Sequence, residues 1–262
     1  WSVGEKEAWA VGLEGALIHH IGSKWNVTDI DGTYMKTGTF RAVWGMAASG
    51  SSETFAFAVG DKGVGIRFDG ATDKWLDYRA ETTAHLNNVA ALPDGRVVIA
   101  GDSGVLLEAP DAKSAFVDLG VAVTGTHLRG VSDDGAKGFW AVGDDGVTVH
   151  VDANGKAEVI IATEAAGQRL AGVALAGKDV VAVGHGGAAM RWDGSAWKSE
   201  TTGVQFNLTA ISAHGDTAWA VGEFGTVIRR DAGGKWSKEA SGESFNLHRV
   251  IAWDKGAAAV GD

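Results

Sequence analysis

The chain of 262 residues contains 39 glycines but only 2 prolines, and the glycines are spread evenly along it. Without a linker or a low-complexity tract, such spacing favours one domain with many tight turns. The net charge of -10 argues against a nucleic acid as partner, because phosphate binding needs clustered lysine and arginine. The lack of cysteine excludes disulfides, thiolate chemistry and cysteine-bound zinc.

The hydropathy of the chain predicts no transmembrane segment, because no apolar run approaches the ~20 residues that a spanning helix needs. No signal peptide is visible before Trp1, which begins in the middle of a repeated pattern. We therefore expect both ends of the chain to fall within repeat units.

The strongest pattern is a Val-Gly dipeptide that returns at a nearly constant interval. Its glycines are 48, 41, 42, 41, 38 and 39 residues apart when Ala100-Gly101 is counted in the same series. A period of this size over a whole chain is typical of repeat folds. The glycines of the series are Gly12, Gly60, Gly101, Gly143, Gly184, Gly222 and Gly261.

Taken in chain order, each period predicts four short strands. The first strand begins at a leading Phe or Leu, the second ends at the Val-Gly pair, and a three-residue turn ending in glycine leads to the third. Such a turn suits a type I turn followed by one left-handed residue. A tryptophan opens the fourth strand in several periods. The leading residues are Phe40, Leu86, Leu128, Leu170, Leu208 and Leu247, and the tryptophans are Trp25, Trp75, Trp197 and Trp236.

Four antiparallel strands in every forty residues or so form the blade of a β-propeller. Apolar strands such as Val97–Ala100 fit sheets that are buried on both faces, and no segment has a helical period with caps. We predict an all-β chain that is a single β-propeller domain over 1–262, with seven blades whose ends are truncated, or alternatively six. The predicted blades are 1–39, 40–85, 86–127, 128–169, 170–207, 208–246 and a partial 247–262.

The segment from Trp219 to Trp236, with Trp-Ala-Val-Gly, a turn glycine and a closing tryptophan, resembles a known repeat. It is similar to the W-A-V-G-x-x-G repeats of bacterial propellers, in the BNR-like group and the photosystem II stability and assembly factor family. The resemblance covers essentially the whole chain. It implies extracellular, periplasmic or lumenal proteins that are mostly non-catalytic and bind other proteins or sugars. The Asp box of sialidases and the signatures of WD repeats are not found in register.

Polar side chains flank the leading residue of each first strand. The loop into that strand and the turn after Val-Gly are expected at the same end of a blade, which we call the turn end. Arginine, histidine and asparagine there suit an acidic loop of a partner or a sugar, since such donors recognise carboxylates. The alternative is that they only cap solvated loops. These predicted partner-binding residues, the docking set, are Arg41, His85, Asn87, His127, Arg129, Arg169, Asn207, Asn246, His248 and Arg249.

Carboxylates take the first position of five turns. Oxygen ligands from several turns are one way to hold a cation. We expect instead that each carboxylate accepts bonds from the backbone of its own turn, which accounts for the residue type. We therefore predict no metal and no cofactor. The turn carboxylates are Asp61, Asp102, Asp144, Glu223 and Asp262.

The two tyrosines, Tyr34 and Tyr78, bear on catalysis, because retaining sialidases use a tyrosine nucleophile. Tyr34 lies in the connection before Phe40 and Tyr78 on an outer strand, so neither is placed for the turn end. We predict that the chain is not an enzyme but a scaffold for protein–protein interaction or assembly, with another protein or a larger complex as partner. The alternatives are a glycan-binding propeller and a structural subunit of a larger surface assembly.

Overall fold

The computed structural model describes residues 1–3, 7–28, 38–47, 54–78, 80–123, 125–254 and 256–262. Apart from single helical turns of three residues, the regular elements of these residues are β-strands. The strands pair in chain order into six four-stranded antiparallel sheets and one two-stranded sheet. No helix within the described ranges is long and apolar enough to cross a membrane.

The chain forms two compact units, and the first extends from Trp1 to Val121. Its three sheets each follow the predicted order of four strands. The strands are β1 (Ser2–Val3), β2 (Glu7–Val11), β3 (Leu17–Ile21), β4 (Lys24–Val27), β5 (Phe40–Ala47), β6 (Thr54–Gly60), β7 (Gly65–Asp69), β8 (Lys74–Asp77), β9 (Leu86–Ala91), β10 (Val97–Gly101), β11 (Leu106–Ala109) and β12 (Val117–Asp118).

The second unit extends from Ala122 to Asp262 and contains three four-stranded sheets and the two-stranded sheet. Its strands are β13 (Leu128–Asp133), β14 (Phe139–Gly143), β15 (Val147–Val151), β16 (Ala157–Ile161), β17 (Leu170–Ala176), β18 (Asp179–Gly184), β19 (Ala189–Trp192), β20 (Trp197–Ser199), β21 (Leu208–His214), β22 (Thr217–Gly222), β23 (Val227–Arg230), β24 (Trp236–Glu239), β25 (Leu247–Trp253) and β26 (Gly256–Gly261).

The predicted fold class is confirmed: the chain is all-β and built of four-stranded β-propeller blades. The number of four-stranded blades among the described residues is six, which matches the alternative and not the preferred count of seven. The last repeat contributes only β25 and β26, so its sheet has two strands.

The core lies between successive sheets of each unit, and the second strands β6, β10, β14 and β18 are buried almost throughout. Every residue of β10 and of β14 is buried, as their unbroken apolar sequences predicted. In the second unit, Trp140 and Trp197 pack together with Met190 between two blades. The indole N–H of Trp197 donates to Thr148 Oγ1 at 3.0 Å, so this buried polar pair is satisfied.

Candidate functional site

The turn that follows each Val-Gly pair has the same backbone in six repeats. Its second residue is left-handed, with φ between 53° and 63°, and its third is a glycine whose φ is also positive. The prediction of a type I turn with one left-handed residue is therefore wrong, because two left-handed residues follow each other. The second residues are Glu14, Lys62, Ser103, Asp145, Gly186 and Phe224.

In six of the seven repeats, the glycine of the Val-Gly pair lies where the turn closely approaches the loop before the first strand. At Gly222 the backbone is extended, with φ of -170°, so left-handed geometry is not the reason. A Cβ at Gly222 would overlap the carbonyl oxygen of Asn207 and stand 3.0 Å from Leu208 Cα. The N–H of Glu223 donates to that same carbonyl at 3.0 Å. The absence of a side chain thus brings the turn against the loop of its own blade.

A β-bulge aims the residue after the leading Leu at the turn. Leu128 pairs with Gly143 whereas Gly130 pairs with Val142, so Arg129 is the extra residue. Its Nε and Nη2 donate to the two carboxylate oxygens of Asp144 at 3.2 and 2.9 Å. The bulge thereby places a cation of the first strand on the carboxylate of the turn.

The same contact recurs in the first unit, with an arginine in one repeat and an asparagine in the next. In the first unit, Arg41 Nε donates to Asp61 Oδ1 at 2.6 Å, and His85 Nδ1 lies 3.0 Å from the same oxygen. Asn87 Nδ2 donates to Asp102 at 2.7 Å. The turn carboxylates thus bind side chains of the docking set, where we expected bonds to their own backbone.

Neighbouring blades of the second unit are joined by asparagine side chains at the turn end. Asn207 Oδ1 accepts the N–H of Gly186 in the preceding turn at 2.9 Å, while its Nδ2 donates to Glu223 at 2.9 Å. Asn246 does the same, with Phe224 N–H at 3.3 Å and Asp262 at 3.1 Å. These amides therefore fix the turns relative to the loops and hold the carboxylates in place.

The remaining members of the docking set also lie at the turn end. Arg169 Nε donates to Asp144 at 2.9 Å, so that carboxylate binds two arginines. His248 Nε2 lies 2.8 Å from Asp262, and Arg249 Nη1 donates to the carbonyl of His248 at 2.9 Å. His127 accepts the N–H of Asp144 through its backbone carbonyl at 3.0 Å. Side chains of the docking set thus bind the turn carboxylates in both units, and in the second unit Asn207 and Asn246 also bind the backbone of the preceding turns.

The protonation of this network follows from its contacts. Burial alone would raise the pKa of Asp144, but the bonds and charges of Arg129 and Arg169 lower it below its usual value. Burial and the positive charge of Arg169 lower the pKa of His185, against the opposing pull of Glu223 and Asp144. At neutral pH Asp144 is therefore ionised between Arg129 and Arg169, and the imidazole of His185 is neutral.

Other candidate chemistry is limited among the described residues. No three His, Asp or Glu side chains in those ranges come together as metal ligands. The hydroxyl of Tyr78 is buried without a hydrogen-bond partner, and burial raises its pKa. Tyr34 lies outside the described residues. Tyr78 was predicted on the outer strand; it lies directly after β8, which ends at Asp77, and is partly buried.

Three exposed phenylalanines at the turn end were missed by the sequence analysis. The exposed fractions are 48% for Phe206, 62% for Phe224 and 57% for Phe245. A signal for them exists in the repeat, because a turn position that is otherwise polar or glycine holds phenylalanine at 224.

The comparison with solved structures decides the fold. The structure of YCF48 bound to D1 peptide is 13% identical, with a TM-score of 0.74 over 100% of this chain and 87% of that chain. Virginiamycin B lyase from Staphylococcus aureus is 12% identical, with a TM-score of 0.79 over 96% of this chain and 87% of that chain. The chain has the β-propeller fold. The RRP9 WD40 repeats agree, at 9% identity and a TM-score of 0.78 over 98% and 84% of the two chains.

At these identities the likeness shows the fold alone. No protein-family model matches the chain, and no curated protein matches it in sequence. The prediction that the chain is not an enzyme is wrong as an inference from the fold, because similar propellers include virginiamycin B lyase and streptogramin B lyase. The fold accommodates both enzymes and binding proteins, so function has to be argued from the site.

Proposed function

We propose that this chain is a protein-interaction scaffold that docks a partner protein on the turn end of its blades through the docking set. The observation that carries the proposal is the hydrogen-bonded network of that end. Asp144 bridges Arg129 on β13 and Arg169 in the loop before β17, and Asn207 and Asn246 bind the carboxylates of the next two repeats. Polar groups held by rigid supports bind with little loss of conformational entropy.

The charges of this end suit a partner that presents both signs. The side chain of Arg169 is 43% exposed although its Nε is bound to Asp144, so the guanidinium faces solvent beside a carboxylate. Alternating cations and carboxylates give specificity and register to a docked surface more than they give raw affinity. A partner loop in which basic and acidic side chains alternate fits this pattern better than a uniformly acidic loop.

The comparisons favour a protein over the glycan-binding alternative. One similar propeller, YCF48, is bound to a peptide, and another consists of WD40 repeats. On the basis of the sequence resemblance, we extend the proposal to a role in assembly and to an extracellular, periplasmic or lumenal location.

The test removes cations without creating new repulsion. A glutamate at position 129 would face Asp144 and repel it. We therefore choose the double variant Arg169→Gln and Arg249→Gln, because glutamine removes the positive charge and keeps a hydrogen-bond donor. We expect the double variant to recover its partner from a native extract at least ~tenfold less efficiently than the wild type, since loss of exposed charge contacts weakens docking. Quantitative mass spectrometry of the captured proteins gives the measurement.

Arg229→Gln is the matched control. Arg229 lies on β23 with its guanidinium over the Trp219 ring, and it is not a member of the docking set. Thermal unfolding shows that each variant is folded. If the double variant captures the same partner as efficiently as the wild type does, the proposed docking surface is wrong.

A further inference from the structure

Two exposed phenylalanines of the second unit, Phe206 and Phe224, are in ring contact at the turn end, and the exposed Phe245 is joined to the same turn through its backbone. The ring centroids of Phe206 and Phe224 are 5.0 Å apart. The N–H of Gly225, next to Phe224, donates to the carbonyl of Phe245 at 2.6 Å. We call these three exposed residues, which flank one turn and the loops beside it, the aromatic patch.

The stability of the fold does not account for these residues. Phe224 has a φ of 54°, a left-handed conformation that is strained for a bulky side chain, and its ring is exposed. The positions of Phe206 and Phe245, two residues before the leading Leu, are small or polar in the other repeats. The residues there are Gly38, Ala84, Thr126 and Gln168. Exposed aromatic residues clustered at sites that do not need them mark a contact surface.

A groove adjoins the aromatic patch. Its volume is about 880 Å³, and its walls are the loop 200–206, the segment 225–227 and the end of β24 at Lys238 and Glu239. The groove is open to solvent, and Phe206 of the aromatic patch is one of its lining residues. This shape suits an extended segment of chain with one large side chain on the patch.

The charge around the patch is negative. Glu223 precedes Phe224, Glu239 lines the groove, and the backbone of Glu243 packs against Gly225. Glu239 and Glu243 are exposed, and within the described part of the chain neither carboxylate has an ion pair or a hydrogen bond. Lys238 is the cation of the groove lining. A basic side chain on the bound segment complements this surplus of carboxylates.

We propose that Phe206, Phe224 and Phe245 anchor an extended peptide segment of a partner protein that carries an aromatic or aliphatic side chain next to a lysine or arginine. The inference rests on the proposed function and adds a second contact surface, chemically different from the docking set. The apolar side chain covers the phenyl rings, and the basic one meets Glu239 or Glu243.

The test uses a random dodecapeptide library displayed on phage, selected on the intact chain. Phe224→Asn is the decisive variant, because asparagine tolerates the left-handed turn and the variant therefore folds at least as stably. We expect the enriched peptides to combine an apolar with a basic residue. We expect synthetic copies of them to bind Phe224→Asn at least ~tenfold more weakly than the wild type, as for an aromatic anchor of an interface.

Lys62→Asn makes the same change in the equivalent turn of the first unit and should bind the peptides as the wild type does. Peptides that bind Phe224→Asn undiminished, enrichment of acidic peptides, or no enrichment at all would each overturn the inference. The proposed function is tested separately. It fails if the double variant Arg169→Gln and Arg249→Gln still captures its partner, and that result leaves the inference standing when peptide binding depends on Phe224.

Discussion

Single residues at the turn end have two kinds of role. Asn207 and Asn246 use both ends of their amides for bonds within the chain, so they position the turns. Phe224 has a different role. Its apolar ring is exposed, although its left-handed backbone favours glycine or asparagine. A left-handed non-glycine residue costs on the order of 1–3 kcal/mol, and the fold tolerates that cost at a surface position.

Aspartates of the hairpins between third and fourth strands stabilise their turns through charge. The pKa of Asp193 is about 2, because the backbone N–H groups of Ala196 and Ser195 and the Ser195 hydroxyl donate to its carboxylate. Bonds from backbone N–H groups also lower the pKa of Asp152. The pKa of Asp231 is lowered in the same way, mainly by the backbone N–H of Lys235. The depressed pKa means that each carboxylate adds stability once it is ionised.

The pH dependence of stability follows from that sign. The contribution of Asp193 is fully present above its unfolded pKa of about 3.9 and is lost as the pH falls through its folded value. We expect Asp193→Asn to be less stable than the wild type at neutral pH, and the difference to shrink as the pH falls from ~4 toward ~2. Urea unfolding of both proteins at a series of pH values measures this difference in the free energy of unfolding.

Glu158→Gln removes the same charge from the exposed strand β16 and controls for the net charge of the chain. A stability difference between the wild type and Asp193→Asn that stays constant down to the lowest pH would show that the Asp193 charge does not stabilise the turn.

At the scale of elements, the repeat made most of the fold predictable. The Val-Gly spacing located the second strands, and the leading Phe or Leu located the first strands, at Leu128 and Leu208 for example. The pairing of Arg129 with Asp144 was not predictable, because it depends on a one-residue bulge that leaves no mark in the local sequence. The sequence therefore predicted the docking set and the turn carboxylates as two separate groups, although their side chains bind each other.

The Val-Gly glycine gives an element-scale prediction. In Gly222→Ala the new Cβ would meet the Asn207 carbonyl, so the turn and the loop have to separate. We expect a loss of about 2 kcal/mol in the free energy of unfolding, in the range of overpacking changes. Urea unfolding measures the loss.

Gly12→Ala is the matched control, since Gly12 holds the equivalent position and its Cβ would meet only Ala16 Cβ, at 3.9 Å, within the described residues. Equal losses in the two variants would refute the close-approach explanation for the repeated glycine.

At the scale of the whole molecule, the two ends of the blades differ in chemistry. The hairpins opposite the turn end carry lysines such as Lys156 and Lys235 together with aspartates such as Asp152, Asp193 and Asp231, and no member of the docking set. The turn end carries the docking set, its carboxylates and, in the second unit, the aromatic patch. This asymmetry is the reason to assign docking to one end.

The most direct test of that assignment is cross-linking of the chain to its captured partner with a dihydrazide reagent that joins carboxylates, read by mass spectrometry. Both ends offer exposed acids, so the chemistry does not bias the outcome. The proposal predicts cross-links from the partner to Asp145, Glu223 and Glu243 at the turn end. Cross-links confined to Asp73, Asp94 and Asp216 in the opposite hairpins would contradict it.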